Sequence, residues 1–178
     1  MFSGTVSRWE GCTAPSWMHL SAALESWPKM MFIVPVPNMP LRPHPMRFAL
    51  GTDEKKTLRR DLFGDSKYFC IAEVHSGKWS ILEFRENPHA DPQILDKPPL
   101  VLAFLKDCDA FLSRSLRKGA FVLFAEDGKI PLVTSHESLE DALSALARKE
   151  FHRFKRFDLT ANAFEPLREV DLIQPKHR

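Results

Sequence analysis

Three basic residues stand where a predicted strand gives way to a predicted helix. Arg114, Arg117 and Lys118 follow the apolar stretch "CDAFLS" and precede Gly119 and the apolar run "AFVLFA". Free backbone N–H groups and the positive end of a helix dipole favour an anion at such a point, and nearby cations add to that attraction. The pattern therefore predicts an anion site, with a solvated basic rim as the alternative.

A second candidate is the polar loop within "LFGDSKYF". Gly64 is predicted to supply a backbone angle that other residues resist, and Asp65 and Ser66 are predicted to hydrogen-bond local amides. Phe63, Gly64 and Asp65 form either a structural turn or part of a binding site. The residue types alone favour the structural turn.

Histidines supply the candidate metal ligands. His89 lies in the loop "ENPHADP" and is the preferred ligand, while His75 lies in a predicted hairpin turn. Neither has a recognisable metal-site spacing, so ordinary surface histidines remain the alternative.

Composition limits the classes of function. The 178 residues carry 25 Lys and Arg against 23 Asp and Glu, a formal charge of +2, which gives no global argument for nucleic acid or an anionic membrane. Cys12, Cys70 and Cys108 form no CxxC pair and are predicted to be reduced, Cys70 and Cys108 as buried thiols in strands. Without a long apolar run or a basic signal-peptide start, the sequence predicts a cytoplasmic protein that does not cross a membrane.

The chain divides by composition near Met46. Residues 1–45 are rich in Pro and Trp, and are either a partner-binding arm anchored by Trp9, Trp17 and Trp27 or the product of a wrong start choice. Residues 46–155 are predicted to form one domain and residues 156–178 a tail. The stretch "HRFKRFDL" from His152 is predicted to be irregular. The overlapping stretch "FHRFKRF" at residues 151–157 alternates aromatics with cations, a pattern that suits single-stranded nucleic acid or an acidic partner, but an ordinary solvated end is favoured and nucleic acid is not expected as a partner.

The hydrophobic pattern within the domain changes partway along. Period-two alternation predicts three strands, at residues 46–51, 68–74 and 78–87, the last two as a hairpin. Helices at 97–107, 117–128 and 138–150 then alternate with strands at 108–113 and 129–134, although the Phe and Val content of 117–128 suits a strand as well. Core stripes are predicted for the first helix at Leu100, Ala103 and Phe104, and for the last at Leu139, Ala142, Leu143 and Leu146. The order predicts an α/β fold, a ribonuclease H-like mixed sheet with three antiparallel strands and then strand-helix units, with helices on its faces.

No catalytic constellation is apparent. A ribonuclease H-type nuclease needs several carboxylates around two metal ions, yet the first strand carries none, and Asp53 and Glu54 fall in the following turn. No nucleophile elbow, phosphate-binding loop or zinc helix appears. The sequence predicts that the protein is not an enzyme.

An ordered series of segments resembles the dinitrogenase iron-molybdenum cofactor biosynthesis family over about residues 46–150. The segments are "MRFALGTDE", "LFGDSKYF", "VHSGKWSILEFREN", "LKDCDAFLS", "KGA", "GKIPLVT" and "SLEDALSAL". The resemblance implies a ribonuclease H-like accessory domain that binds iron-sulfur precursors of the nitrogenase cofactor, or the finished cofactor, near the "LFGDSKYF" loop. A negatively charged cluster would also suit the basic residues at 114–118.

Two departures from the family pattern keep a second function open. Leu62 stands where the family motif "HFG" has His, and Arg117 stands where "GxGA" has its first Gly. The first function is binding or carriage of an iron-sulfur or iron-molybdenum cofactor precursor, with nitrogenase-type or other iron-sulfur proteins as partners. The second is a divergent member without a cluster, acting as a protein-interaction module.

Overall fold

The computed structural model describes residues 45–173. Seven strands form one sheet: β1 Met46–Thr52, β2 Tyr68–His75, β3 Lys78–Glu86, β4 Ala110–Ser113, β5 Ile130–Thr134, β6 Phe154–Asp158 and β7 Ala163–Pro166. The helices are α1 Lys97–Phe104, α2 Lys118–Glu126, α3 Leu139–Ala147 and α4 Glu169–Ile173, with short 3-10 helices at Phe63–Asp65 and Phe151–Arg153. The predictions for the N-terminal extension and Cys12 lie outside the described residues.

The sheet is mixed, in the order β3-β2-β1-β4-β5-β6-β7. β1 pairs antiparallel with β2 and parallel with β4, and β4 pairs parallel with β5. The predicted α/β, ribonuclease H-like fold is confirmed. Because β1, β4 and β5 are parallel, all three end at one side of the sheet, here named the carboxyl edge. In open α/β sheets, ligands bind beyond this edge.

Two apolar clusters cover the two faces of the sheet. One packs α3 against residues such as Phe48, Leu50 and Leu132, and the predicted stripe Leu139, Ala142, Leu143 and Leu146 is buried within it. Ser138 accepts a hydrogen bond from the Asp141 N–H and caps α3, as its sequence predicts. The other cluster packs α1 and α2 against residues such as Ala49 and Phe111.

The predicted core stripe of α1 is wrong at Leu100 and Ala103, whereas Phe104 packs against the core as predicted. Leu100 is 40% exposed and Ala103 is exposed, whereas Val101 and Leu105 are buried. After its first residue this helix contains only Pro and apolar residues, so no polar face marks the side that meets the sheet.

The predicted irregular end is also wrong. Residues 154–158 and 163–166 are strands that extend the sheet beyond β5, and Phe154 and Phe157 are buried. Arg156 stabilises this region because its guanidinium pairs with the carboxylates of Asp158, Glu165 and Asp171 at 2.8, 3.3 and 3.1 Å.

Two further expectations concern cysteines and membranes. Cys70 and Cys108 are buried free thiols, as predicted, and burial raises the pKa of each to about 12. At neutral pH both thiols therefore stay protonated and are poor nucleophiles. Across residues 45–173 no helix is long and apolar enough to cross a membrane.

Candidate functional site at the carboxyl edge

The loop that follows β1 crosses the carboxyl edge and forms hydrogen bonds to the residues just after β4 and β5. The Phe63 N–H donates to the Ser115 carbonyl at 3.2 Å, beside a parallel bridge between Leu62 and Ser115. The Leu58 N–H donates to the Glu137 carbonyl at 2.6 Å. These contacts bring the two predicted sites, the loop at 63–66 and the basic residues at 114–119, to one edge of the sheet.

Phe63, a predicted cofactor-binding residue, is part of the core. Its side chain is completely buried, and its ring lies 4.9 Å from that of Phe69 and 5.9 Å from that of Phe111, centroid to centroid. Burial of an aromatic ring contributes strongly to stability. Phe63 therefore anchors the 3-10 turn Phe63–Asp65 to the sheet and presents no side chain to a ligand.

The predicted role of Gly64 as a special backbone position is wrong. Among the described glycines, only Gly77 and Gly128 have a positive φ. A Cβ atom built on Gly64 would lie 3.9 Å from the Lys97 Cβ and from the Val101 Cγ2, which is ordinary contact. Neither backbone angle nor lack of space requires glycine here.

Asp65 and Ser66 also bond differently from the prediction. The Asp65 carboxylate forms an ion pair with the Lys97 ammonium at the start of α1, so a tertiary contact replaces the predicted local amides. The Ser66 hydroxyl is buried and has no hydrogen-bond partner among the described residues.

Asn87 holds this side of the edge together, and sequence analysis does not single it out as a site residue. It is 4% exposed, and its side-chain amide donates to the Gly64 and Ser66 carbonyls at 3.0 and 2.8 Å. Its side-chain oxygen accepts from the His89 N–H at 3.0 Å. One buried side chain thus ties the 3-10 turn to the loop that carries His89. The position of an Asn directly after β3 is the only sequence signal.

His89 is half-buried, with its ring edge-to-face against Phe104 at 6.4 Å between centroids. Within the part of the chain that the structure describes, no three His, Cys, Asp or Glu side chains are grouped to hold a metal ion. The role of His89 as a metal ligand stays a prediction.

The three basic residues differ in whether they form an ion pair within the described chain. Arg114 donates to the Glu137 carboxylate at 3.1 Å, whereas Arg117 and Lys118 are exposed and form no ion pair with any described residue. Arg117 is the N-cap of α2 with φ −71° and ψ 144°, and no side chain caps the helix. Around Gly119 the space is open, since a Cβ built there would meet nothing within 4 Å. The first N–H groups of α2 and two cations therefore face solvent together.

The loop after β1 adds charged residues that sequence analysis does not single out. Lys56 and Arg60 are exposed and without an ion pair in residues 45–173, but Glu54 and Asp61 on the same loop are exposed acids. The loop is therefore nearly balanced in charge. The excess positive charge lies at residues 114–119, here called the basic segment.

Residues 45–149 match the family model described as dinitrogenase iron-molybdenum cofactor. The chain belongs to this family. No curated protein sequence matches it.

Solved structures are similar to this family member at low sequence identity. The crystal structure of PH0822 aligns with a TM-score of 0.50 and 20% identity, over 58% of this chain and 92% of that one. An NMR structure from Thermotoga, provisionally described as a NifB protein, aligns at 0.47 and 20%, over 63% and 93%. A Methanocaldococcus jannaschii structure, provisionally described as a dinitrogenase, aligns at 0.45 and 15%, over 60% and 92%.

The two departures from the family pattern both lie at the carboxyl edge. Leu62 is half-buried and bridges Ser115, two residues before Arg117. This family member thus has an aliphatic side chain and a guanidinium where the motif has an imidazole and a glycine. The donors at this edge are suited to an anion held by charge and N–H groups, and they do not form a coordination sphere for a bare metal ion.

Proposed function

We propose that this protein binds and carries an anionic iron-sulfur or iron-molybdenum cofactor precursor, without catalysing a reaction. The observation that carries the proposal is the basic segment: Arg117 and Lys118, both without an ion pair in the described chain, flank the open N-terminus of α2. Membership in the dinitrogenase iron-molybdenum cofactor family supplies the class of cargo.

The cargo would be held by electrostatic attraction. Backbone N–H groups at a helix start and adjacent cations stabilise an anion, each contributing about 0.3–1 kcal/mol at an exposed position. Metal coordination by Cys70 or Cys108 is disfavoured because both side chains are buried within the two apolar clusters, away from the basic segment. Such a carrier releases its cargo to a nitrogenase-type or other iron-sulfur protein without breaking bonds between metal and protein. Exchange of this kind would take place in the cytoplasm.

A second function is favoured by Leu62. Leu62 stands where the motif "HFG" has an imidazole that could ligate or hydrogen-bond a cluster, and among the described residues His89 belongs to no group of metal-ligating side chains. The alternative is a divergent member that holds no cluster and acts as a protein-interaction module.

Anaerobic titration of the full chain with an iron-sulfur cofactor precursor separates the two functions. We expect stoichiometric binding, seen by absorbance and by comigration on a sizing column, that weakens about threefold to thirtyfold in Arg117→Ala/Lys118→Ala and also weakens at high salt. Lys78→Ala/Lys106→Ala removes the same number of charges from two exposed lysines outside the basic segment and should bind normally. Absence of binding in the unmodified protein would favour the interaction module.

Leu62→His tests the missing imidazole directly. If the position still faces the cargo, an imidazole there should tighten binding of the precursor and make it pH-dependent, because only the neutral ring ligates metal. Leu62→Asn, similar in size and polar but a poor ligand for iron, is the matched control. Equal affinities for both variants would place the cargo away from Leu62.

A further inference from the structure

Three phenylalanines cluster beside α2 on the part of the sheet formed by β6 and β7. Phe121 of α2 stacks on Phe157 of β6 with centroids 5.6 Å apart and an interplanar angle of 24°. Phe164 of β7 meets both edge-to-face, at 4.7 Å from Phe121 and 5.5 Å from Phe157. The cluster joins the helix to strands that lie beyond the family match.

The three rings differ in exposure. Phe121 and Phe157 are 3% and 5% exposed, whereas Phe164 is 42% exposed. Two rings therefore act as a rigid support, and the third presents part of its surface to solvent. A ring held in this way can stack with a planar ligand group at little cost in conformational entropy.

Two exposed lysines lie on the same element faces as the supporting rings. Lys155 lies two residues before Phe157 in β6, so both side chains are on the same face of the sheet. Lys118 lies one turn before Phe121 in α2, on the same side of the helix. Both lysines are exposed and form no ion pair with residues 45–173.

On the opposite face of β6 and β7, positive charge is neutralised by carboxylates. Arg156 lies there with Glu165, Asp158 and Asp171, so its positive charge is matched by carboxylates. The excess positive charge of β6 is thus confined to the face that carries Phe164.

We propose that this face, formed by Phe164, Lys155 and Lys118 over the support of Phe121 and Phe157, binds single-stranded nucleic acid. A base would stack on Phe164, and the flanking phosphates would pair with the two lysines. Stacking of bases on aromatic side chains combined with cations along the backbone is the general mode of sequence-tolerant single-strand binding. The proposal does not rest on cluster carriage.

The size of the exposed apolar area favours nucleic acid over a protein partner. A specific protein interface covers about 800 Å² per partner with several large apolar residues at its centre. This face exposes one ring between lysines, which is enough for a single stacked base. An acidic protein segment is the competing occupant.

Fluorescence anisotropy of the full chain with a labelled oligothymidylate tests the proposal. We expect salt-sensitive binding that weakens about tenfold in Phe164→Leu, which keeps an apolar side chain but removes the ring, and by a similar factor in Lys155→Glu. Lys155→Glu should also make the dependence on salt less steep. Neither residue belongs to the basic segment, so both variants should still bind the cofactor precursor.

Two control variants and three outcomes decide whether the oligonucleotide binds at this face. Leu95→Ala removes the most exposed of the large apolar side chains described, and Lys78→Glu reverses a lysine at a different site; both should bind the oligonucleotide normally. Unchanged thermal unfolding of Phe164→Leu would show that the fold is intact. The proposal is overturned by absence of binding at low salt, or by binding that the Phe164 and Lys155 variants leave unchanged. It is also overturned if a polyglutamate peptide binds at this face and the oligonucleotide does not.

Discussion

The two halves of the carboxyl edge are used in different ways. On one half, the turn Phe63–Asp65 is fixed by the Asn87 side chain, by an ion pair between Asp65 and Lys97, and by the buried Phe63 ring. On the other half, Arg117 and Lys118 face solvent without ion pairs in the described chain, and α2 begins without a side-chain cap. The halves meet at the bridge between Leu62 and Ser115.

The segment with the clearer family motif, the turn, is therefore the poorer candidate for binding a ligand. The turn carries the family's loop pattern, yet its polar groups are largely occupied by the protein's own partners. The basic segment has a weaker motif but keeps free donors. Variants of the turn half should therefore change stability, whereas variants of the basic segment should change binding with little effect on stability.

Asn87→Ala should give the largest effect on stability. The substitution leaves the Gly64 and Ser66 carbonyls and the His89 N–H without their partner, and an unsatisfied buried polar group costs about 1–3 kcal/mol. Because solvent can reach part of the site, we expect the free energy of unfolding to fall by about 2–4 kcal/mol in total. Urea unfolding followed by circular dichroism measures it.

Gln93→Ala is the control for that experiment. Gln93 is exposed in the same loop, and its backbone N–H keeps its bond to the Asp91 carboxylate after the change. It should leave stability nearly unchanged. If Asn87→Ala unfolds at the same urea concentration as this control, the turn half is not fixed by Asn87.

Glycine substitutions should give a smaller contrast between the halves. A Cβ at Gly51 would lie 2.4 Å from the Ser66 hydroxyl oxygen and 3.0 Å from the Phe63 ring, so Gly51→Ala must displace the turn. We expect a loss of about 1–3 kcal/mol. Gly119→Ala meets nothing within 4 Å and should be neutral or raise stability by up to about 1 kcal/mol, because Ala favours a helix over Gly.

Thermal unfolding of the two alanine variants measures this contrast. A Gly119→Ala variant that loses as much stability as Gly51→Ala would mean that the start of α2 is packed as tightly as the turn. The basic half would then not be open to a ligand.

How much the sequence predicts depends on how sharply polar and apolar residues alternate. The strands β1, β2 and β3 have a clear period of two, and α3 has a clear helical period and a capping serine. The predicted positions of all four elements and the buried stripe of α3 are therefore confirmed. α1 is apolar around its circumference, so periodicity cannot decide that Val101 and Leu105 face the sheet. In β6 the two buried phenylalanines face opposite sides of the sheet, and the cations between them hide the strand pattern.

The candidate site is predictable only as a set of residue types. The sequence places a glycine turn and a basic segment at strand ends, and the parallel topology brings them to one edge. It does not show which polar groups are already bonded. The commitment of Asp65 to Lys97 and the role of Asn87 depend on contacts between residues 21 to 32 positions apart, which local pattern does not encode.

The smallest expected effect is on acid stability, and it tests whether charge as well as packing fixes the turn half. Burial alone would raise the pKa of Asp53, but hydrogen bonds from the Lys67 N–H and the Arg59 guanidinium lower it below its ordinary value of 3.8. The contribution of Asp53 to stability is therefore present above about pH 4 and is lost as pH falls below it. Asp53→Asn should be less stable at pH 7 by no more than about 1 kcal/mol, and should lose less stability than the unmodified protein between pH 5 and pH 2, in urea unfolding at each pH.

Asp61→Asn, which changes an exposed carboxylate of the same loop with no ion pair in residues 45–173, should retain the full acid dependence. The reverse order of the two variants would mean that Arg59 and Lys67 do not hold this loop through Asp53, and that packing of Phe63 and the bonds of Asn87 alone distinguish the fixed half from the open one.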